Sequence, residues 1–217
     1  MKEKLIGIGM GGQTRVMIDI ILKEKKYNIV GFVEKQISSK KILDKYQIIG
    51  TDKDLNKLFN KGVKNVFIGV ASLDNTKKNK KIYLKLKNIG FNIINVVHQS
   101  SIISSDTIIG DGVKVFAGSV INPGTKIGSN VLINSGSIVE HDCKISDHVQ
   151  ISPGACLGGA VSVGEGSIVG LGSRVIQGVS IGNYCMIGAG TVVTKDIPNN
   201  SLVYGIPAKR IKSWLSE

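Results

Sequence analysis

The spacing of apolar residues along this chain changes near residue 100. Before that point, short apolar runs alternate with amphipathic stretches. Leu5 to Gly9 predicts a strand, Thr14 to Lys25 a helix, Ile29 to Val33 and Val66 to Val70 strands, Asn75 to Asn88 a helix and Phe91 to Val97 a strand. Strands alternating with helices indicate a small parallel α/β unit. After that point the period is six. Ile103, Ile109, Val115, Ile121, Ile127, Ile133, Val139, Ile145, Ile151, Leu157, Val163, Val169, Val175, Ile181, Ile187 and Val193 are all aliphatic. Four residues beyond each comes a second restricted position, from Thr107 and Val113 through Cys143 and Cys185 to Ile197, and nearly all of these are small or β-branched. Gly, Asn and Asp crowd the positions between, where a sharp corner needs backbone freedom.

A six-residue unit with one large and one small inward residue makes a short strand and a turn, and three units close a triangular coil. Sixteen units give just over five coils, a prism of roughly 25 Å at the usual strand spacing. A helix needs a period of about 3.6 and an ordinary amphipathic strand one of about 2, and neither fits. The reading is therefore two domains, residues 1–97 α/β and residues 98–217 an all-β coil with a C-terminal tail.

Composition changes this picture little. Three cysteines, at 143, 156 and 185, lack metal-type or paired spacing, so no metal is expected. Cys143 and Cys185 fall on the small inward position and read as core. No stretch approaches about eighteen apolar residues, so no membrane span is expected, nor a signal peptide, and the chain reads as soluble and cytoplasmic. The net charge of +12 is uneven: residues 1–94 carry 20 Lys/Arg against 8 Asp/Glu, and residues 95–217 carry 8 against 8. A basic surface attracts phosphates, whether of nucleic acid, a sugar nucleotide or coenzyme A. A solvated lysine-rich helix such as Lys77-Lys78-Asn79-Lys80-Lys81 gives the same excess, so charge alone decides nothing.

The first turn reads Gly7-Ile8-Gly9-Met10-Gly11-Gly12, a GxGxxG between strand and helix, with the acidic Glu34 at the end of the next strand. That matches a dinucleotide fingerprint, but the α/β unit is half the size of a doubly wound domain. A glycine turn at a helix N-terminus equally suits the phosphate or ribose of a sugar nucleotide.

Taken together, several features resemble one family: the GxGGQ turn ending in Gln13, the strand end Gly31-Phe32-Val33-Glu34, Val97-His98-Gln99-Ser100 at the junction, the sixteen hexads, Glu140-His141-Asp142, Ser152-Pro153-Gly154-Ala155, and the closing Val203-Tyr204-Gly205-Ile206-Pro207-Ala208-Lys209-Arg210. The chain is similar to hexapeptide-repeat acyltransferases, in particular bacterial sialic acid O-acetyltransferases and N-acetyltransferases of nucleotide-linked 4-amino-4,6-dideoxy sugars. The resemblance implies a Rossmann-like N-terminal domain, a left-handed parallel β-helix, a homotrimer, and acetyl-CoA as co-substrate without a metal. Its partner is a nucleotide-linked amino sugar, with neither nucleic acid nor membrane implied.

By the same resemblance His141 is the general base, and Asp142 orients it, with Glu140 as the other candidate. Gly159 offers a backbone N–H to the thioester oxyanion, and 18 residues from His141 it falls one coil on. A histidine suits the task because its ordinary pKa of about 6.5 leaves the imidazole neutral near pH 7. Acetyl-CoA would touch Gly159, Leu171 and Ala189, with Pro207 and Lys209 near the adenine. The sugar nucleotide would meet Gly9, Gly11, Gly12, Gln13, Glu34 and Gly69. Two departures stand out. The family's GGH turn reads Gly11-Gly12-Gln13, and the second β-helix histidine is replaced by Gln150, with His148 two residues earlier at a turn position that reads as exposed. The expected activity is N-acetylation of the 4-amino group. Alternatives are O-acetylation of a sialic-acid-like sugar, a longer acyl group, a sugar-nucleotide sensor with an inert helix, or an NAD-linked enzyme.

Overall fold

The computed structural model describes residues 2–37, 41–43, 45–70 and 76–214. The chain divides into two units, Met1–Ser72 with Lys81–Val96, and Leu73–Lys80 with Val97–Glu217.

The first unit is a sheet with helices. Strands β1 (Glu3–Ile8), β2 (Tyr27–Glu34), β3 (Lys41–Ile42), β4 (Tyr46–Thr51), β5 (Asn65–Ile68) and β6 (Asn92–Ile93) take the order β3-β4-β2-β1-β5-β6. All pairs are parallel except the β3–β4 hairpin. The interior strands β1 and β5 are buried over residues 5–8 and 65–68, as parallel strands covered on both faces must be. The connections include α1 (Gly12–Glu24), α2 (Leu55–Asn60) and α3 (Thr76–Ile89). Helix α3 is described from Thr76, and Asn75, where the pattern placed its start, lies outside the described residues. The β3–β4 hairpin and α2 had no counterpart in the sequence reading. Each is short, and neither shows a long enough apolar period to be recognised. The strand expected over Phe91 to Val97 is two: Asn92–Ile93 pairs with β5, and Val96–Val97 opens the next sheet.

The second unit is a triangular coil of two-residue rungs. Face one carries rungs Val96–Val97, Lys114–Val115, Leu132–Ile133, Gln150–Ile151, Ile168–Val169 and Met186–Ile187, then Ser201–Tyr204 and the antiparallel Lys209–Ser213. Face two runs from Ile102–Ile103 to Val192–Val193, and face three from Ile108–Ile109 to Ser180–Ile181. Up to Val193 each rung pairs in parallel with the one 18 residues on, as Leu132 with Gln150, and in the last coil Met186 pairs with Leu202, 16 on. The fold class is the expected one, an α/β subdomain followed by a left-handed parallel β-helix.

Both inward positions of the hexad fill the prism. From Val115 to Val193 the large aliphatics are at most 3% exposed, and Cys143 and Cys185 are fully buried in the same core. Several buried hydroxyls at the small position are held by carbonyls of the coil, as Ser173 Oγ donates to Gly188 at 2.9 Å and Thr125 Oγ1 to Glu140 at 3.0 Å, whereas those of Thr107 and Thr191 have no partner among the described residues. The corners explain the residues between. Every sixth residue from Gly112 to Gly190 has a φ between +52° and +77°. Nine of these fourteen are glycine, the residue that adopts this region without penalty. The other five are Asn130, Asp142, His148, Ala160 and Tyr184.

Candidate active site

Two consecutive corners of the β-helix, between faces two and three, carry the candidate chemistry. His141 follows the rung Ile138–Val139, and its side chain is 53% exposed. Asp142 holds φ +59°, and its carboxylate Oδ2 lies 2.9 Å from His141 Nδ1. A carboxylate only accepts, so Nδ1 carries the proton and Nε2 is left with its lone pair. The other acidic neighbour is engaged elsewhere: Glu140 Oε2 accepts from Asn122 Nδ2 at 2.9 Å. Of the two candidate partners of His141, Asp142 is the one whose carboxylate lies within hydrogen-bond distance of the ring.

Gly159 stands one coil on. A Cβ there would lie 2.5 Å from His141 Nε2 and 2.6 Å from Cε1, so the imidazole rests directly against the glycine. Its carbonyl accepts from Gly178, and its N–H donates to no group among the described residues. At several other corners this N–H is taken by a side chain, as Ser129 N–H is by Asp147 at 2.7 Å and Glu165 N–H by Asn183 at 2.8 Å. A basic nitrogen and a free N–H donor thus meet at one surface point, the pairing that acyl transfer from a thioester needs.

Leu171 and Ala189 are exposed on the corner between faces one and two, stacked through the 2.8 Å bond from Gly190 N–H to the Leu171 carbonyl. Face two lies between this corner and that of His141. The Tyr204 ring packs against Gly188 beside Ala189, and Pro207 and Lys209 are exposed in the closing hairpin.

In the first unit the candidate binding residues gather at one turn. Gly9 has φ +87°, and a Cβ there would press on Val70. Thr14 Oγ1 donates to the carbonyl of Gly9 at 2.9 Å and faces that of Gly69 at 3.2 Å, tying the turn to the end of β5. Glu34 accepts the Met10 N–H on Oε1 at 2.6 Å. Gly11 and Gly12 open onto free space, and their N–H groups and that of half-buried Gln13 have no partner among the described residues. Thr14, Met10 and Asn122 were missed from sequence. Asn122 was within reach, since it precedes Glu140 by the 18-residue coil length.

His148 is a correction. It is only 5% exposed, with Nδ1 3.1 Å from Asn130 Nδ2. Asn130 Oδ1 in turn accepts from Lys114 Nζ at 2.8 Å. Burial lowers the pKa of His148 and pushes that of Lys114 down to about 7. The turn position was read correctly, but the outer side of face one around Lys114, Leu132, Gln150 and Ile168 is buried.

The PglD N-terminal domain family matches residues 4–86, and the bacterial transferase hexapeptide family matches 106–141 and 124–159. The hexapeptide repeat of succinyl-transferase matches 160–195. A perosamine N-acetyltransferase variant from Caulobacter crescentus, solved with CoA and GDP-perosamine, is 32% identical over 97% of both chains, with a TM-score of 0.90. The chain belongs to the hexapeptide-repeat sugar acetyltransferases. Within this family, PerB from the same organism, also solved with CoA and GDP-perosamine, is 33% identical over 96% of this chain and 97% of its own, with a TM-score of 0.89. The acetyltransferase domain of PglB from Neisseria gonorrhoeae FA1090, in complex with acetyl coenzyme A, is 30% identical over 97% of this chain and all of its own, at 0.87. No curated protein matches. As a member of this family the chain is a CoA-dependent acyltransferase. No group of metal-binding side chains occurs among the described residues, and no helix among them is long and apolar enough to cross a membrane.

Proposed function

We propose that the protein transfers the acetyl group of acetyl-CoA to the 4-amino group of a nucleotide-linked 4-amino-4,6-dideoxy sugar, acting as a homotrimer in the cytoplasm. The observation that carries this reading is the His141 Nε2 lone pair set against the unengaged N–H of Gly159, with Asp142 fixing the ring at 2.9 Å. The relatives support the substrate class, since the perosamine enzyme was solved with CoA and GDP-perosamine and the PglB domain with acetyl coenzyme A.

In this reaction His141 Nε2 takes a proton from the amino group as its nitrogen attacks the thioester carbon. Asp142 stabilises the resulting imidazolium, and the Gly159 N–H donates to the oxyanion, a contact whose loss in comparable sites costs about 3 kcal/mol. The C–S bond then breaks, and the proton returns from His141 to the departing thiolate. The open Gly11-Gly12-Gln13 turn supplies N–H groups for the nucleotide phosphates, and the second oxygen of Glu34 suits a ribose hydroxyl. Leu171, Ala189, Pro207 and Lys209 would line the coenzyme.

The test is thiol release from acetyl-CoA with a panel of GDP-, UDP- and dTDP-linked 4-amino sugars and free sialic acid, with His141→Ala in parallel. Release with one amino sugar, lost in the variant, is expected. Release with sialic acid alone would replace N- by O-acetylation, and none with any acceptor would direct the search to longer acyl groups.

A further inference from the structure

The basic excess of the chain has a definite place. Helices α2 and α3 pack on one core with Leu55, Leu58, Phe59, Ile82, Tyr83 and Leu86, so both lie on the same layer of the first unit's sheet. Lys57 on α2, Lys81 and Lys85 on α3, and Lys53, Lys61 and Lys64 in the segments flanking α2 are all exposed. Over residues 52–64 and 81–89 there are seven lysines and no arginine against two aspartates. Both aspartates are engaged: Asp52 pairs with Lys85 at 3.2 Å, and Asp54 accepts from the Thr51 N–H at 2.8 Å and hydroxyl at 3.0 Å. A lysine-rich composition of the whole chain does not account for this, because residues 95–217 balance at 8 against 8.

The chemistry of the layer narrows its partner. Nucleic-acid and protein contacts rely on Arg forks and exposed aromatics for stacking, bidentate bonds and hot spots. Here Tyr83 is 8% exposed, and half-buried Phe59 lies under the Lys64 ammonium. What remains is a spread of compact, flexible point charges on and beside two helices whose apolar residues, apart from Leu84 at 45% exposed, are already used in the core. We propose that this layer docks the enzyme reversibly on an anionic phospholipid surface, through headgroup phosphates and without insertion. The binding goes beyond the acetyl-transfer reading, departs from the sequence expectation of no membrane partner, and involves none of the residues placed in that reaction.

The experiment is sedimentation of the full chain with phosphatidylglycerol vesicles and with phosphatidylcholine vesicles, at low and high salt, beside Lys53→Gln/Lys57→Gln/Lys61→Gln/Lys81→Gln. Each lysine near an anionic surface contributes about fivefold to partitioning, so the fourfold variant should bind on the order of several hundred times more weakly. Binding to the anionic vesicles alone, abolished by salt and by the substitutions, is the expected result. The variant should keep its melting temperature and its thiol release, so a failure here is distinguishable from a failure of the catalytic reading. Absence of binding at low salt, equal binding by the variant, or tighter binding to duplex DNA than to the vesicles would overturn the proposal.

Discussion

Replacing Gly159 with alanine perturbs the site by one methyl group. The added Cβ would sit 2.5 Å from His141 Nε2 and 2.6 Å from Cε1, where carbon contacts ordinarily need about 3.5 Å. The ring must therefore retreat by about 1 Å. It has room, because the side chain is 53% exposed. The retreat costs either an off-rotamer χ of about 0.5–1.5 kcal/mol or the Asp142 hydrogen bond, worth a similar amount. Gly159 is not among the residues with positive φ, so alanine also narrows the unfolded ensemble and returns about 0.4–1 kcal/mol. The two effects nearly cancel, and the melting temperature should move by no more than about 3 °C. Catalysis should not be spared, since a base misplaced by about 1 Å loses on the order of 100-fold. Thiol release under saturating acetyl-CoA should show kcat down by that factor in a protein that melts normally. An unchanged kcat would sink the assignment of Nε2 as the base.

Asp142→Asn should fold as well as the parent but leave Nδ1 without its carboxylate, lowering kcat by about 10²- to 10⁴-fold with little change in KM. Steady-state kinetics decide this, and wild-type turnover would transfer the role elsewhere. Lys114 gives a pH dependence. Burial holds it at about 7 against an ordinary 10.5, so between those values the unfolded chain binds a proton that the folded chain does not. Stability therefore rises with pH across that window, and below it the fold forgoes up to about 5 kcal/mol. Lys114→Met should flatten this slope and stabilise at pH 6.5, less about 1–3 kcal/mol for the Asn130 oxygen it leaves unpaired. Urea unfolding at pH 6.5 and pH 9 measures it, and a net loss at both pH values would contradict the reading. Thr14→Val strips the hydroxyl shared between the Gly9 and Gly69 carbonyls and should cost about 1–3 kcal/mol, seen as a lower melting temperature, together with weaker nucleotide-sugar binding by calorimetry.

The β-helix was legible in the sequence because its constraint is local and repeated. Each hexad states the same two inward positions, and Cys143 and Cys185 could be assigned to the core from their place in the count alone. The stacking of Gly159 against His141 was legible for the same reason, since a fixed coil length turns sequence distance into contact, whereas the choice of His141, Asp142 and Gly159 rested on the family resemblance. The β3–β4 hairpin, α2 and the burial of His148 were not. Two or six residues give too little periodicity to recognise. The exposure of a corner depends on what covers it, and no residue of the corner itself encodes that. Thr14 belongs with these, because its partners Gly9 and Gly69 meet only through sheet order.

The coil length also restricts how this chain can change in length. Up to Val193 rungs and corners stack at a spacing of 18 residues, so within that stretch only whole coils can be added or removed without rotating every rung downstream. An 18-residue insertion beyond Gly159 would leave His141 and its glycine in place and only lengthen the prism. A six-residue deletion between Asp142 and Gly159 would keep every hexad intact and still bring Glu165 beneath His141 in place of the glycine. For this active site the reading frame is the coil, and a loss that spares the repeat can remove the chemistry.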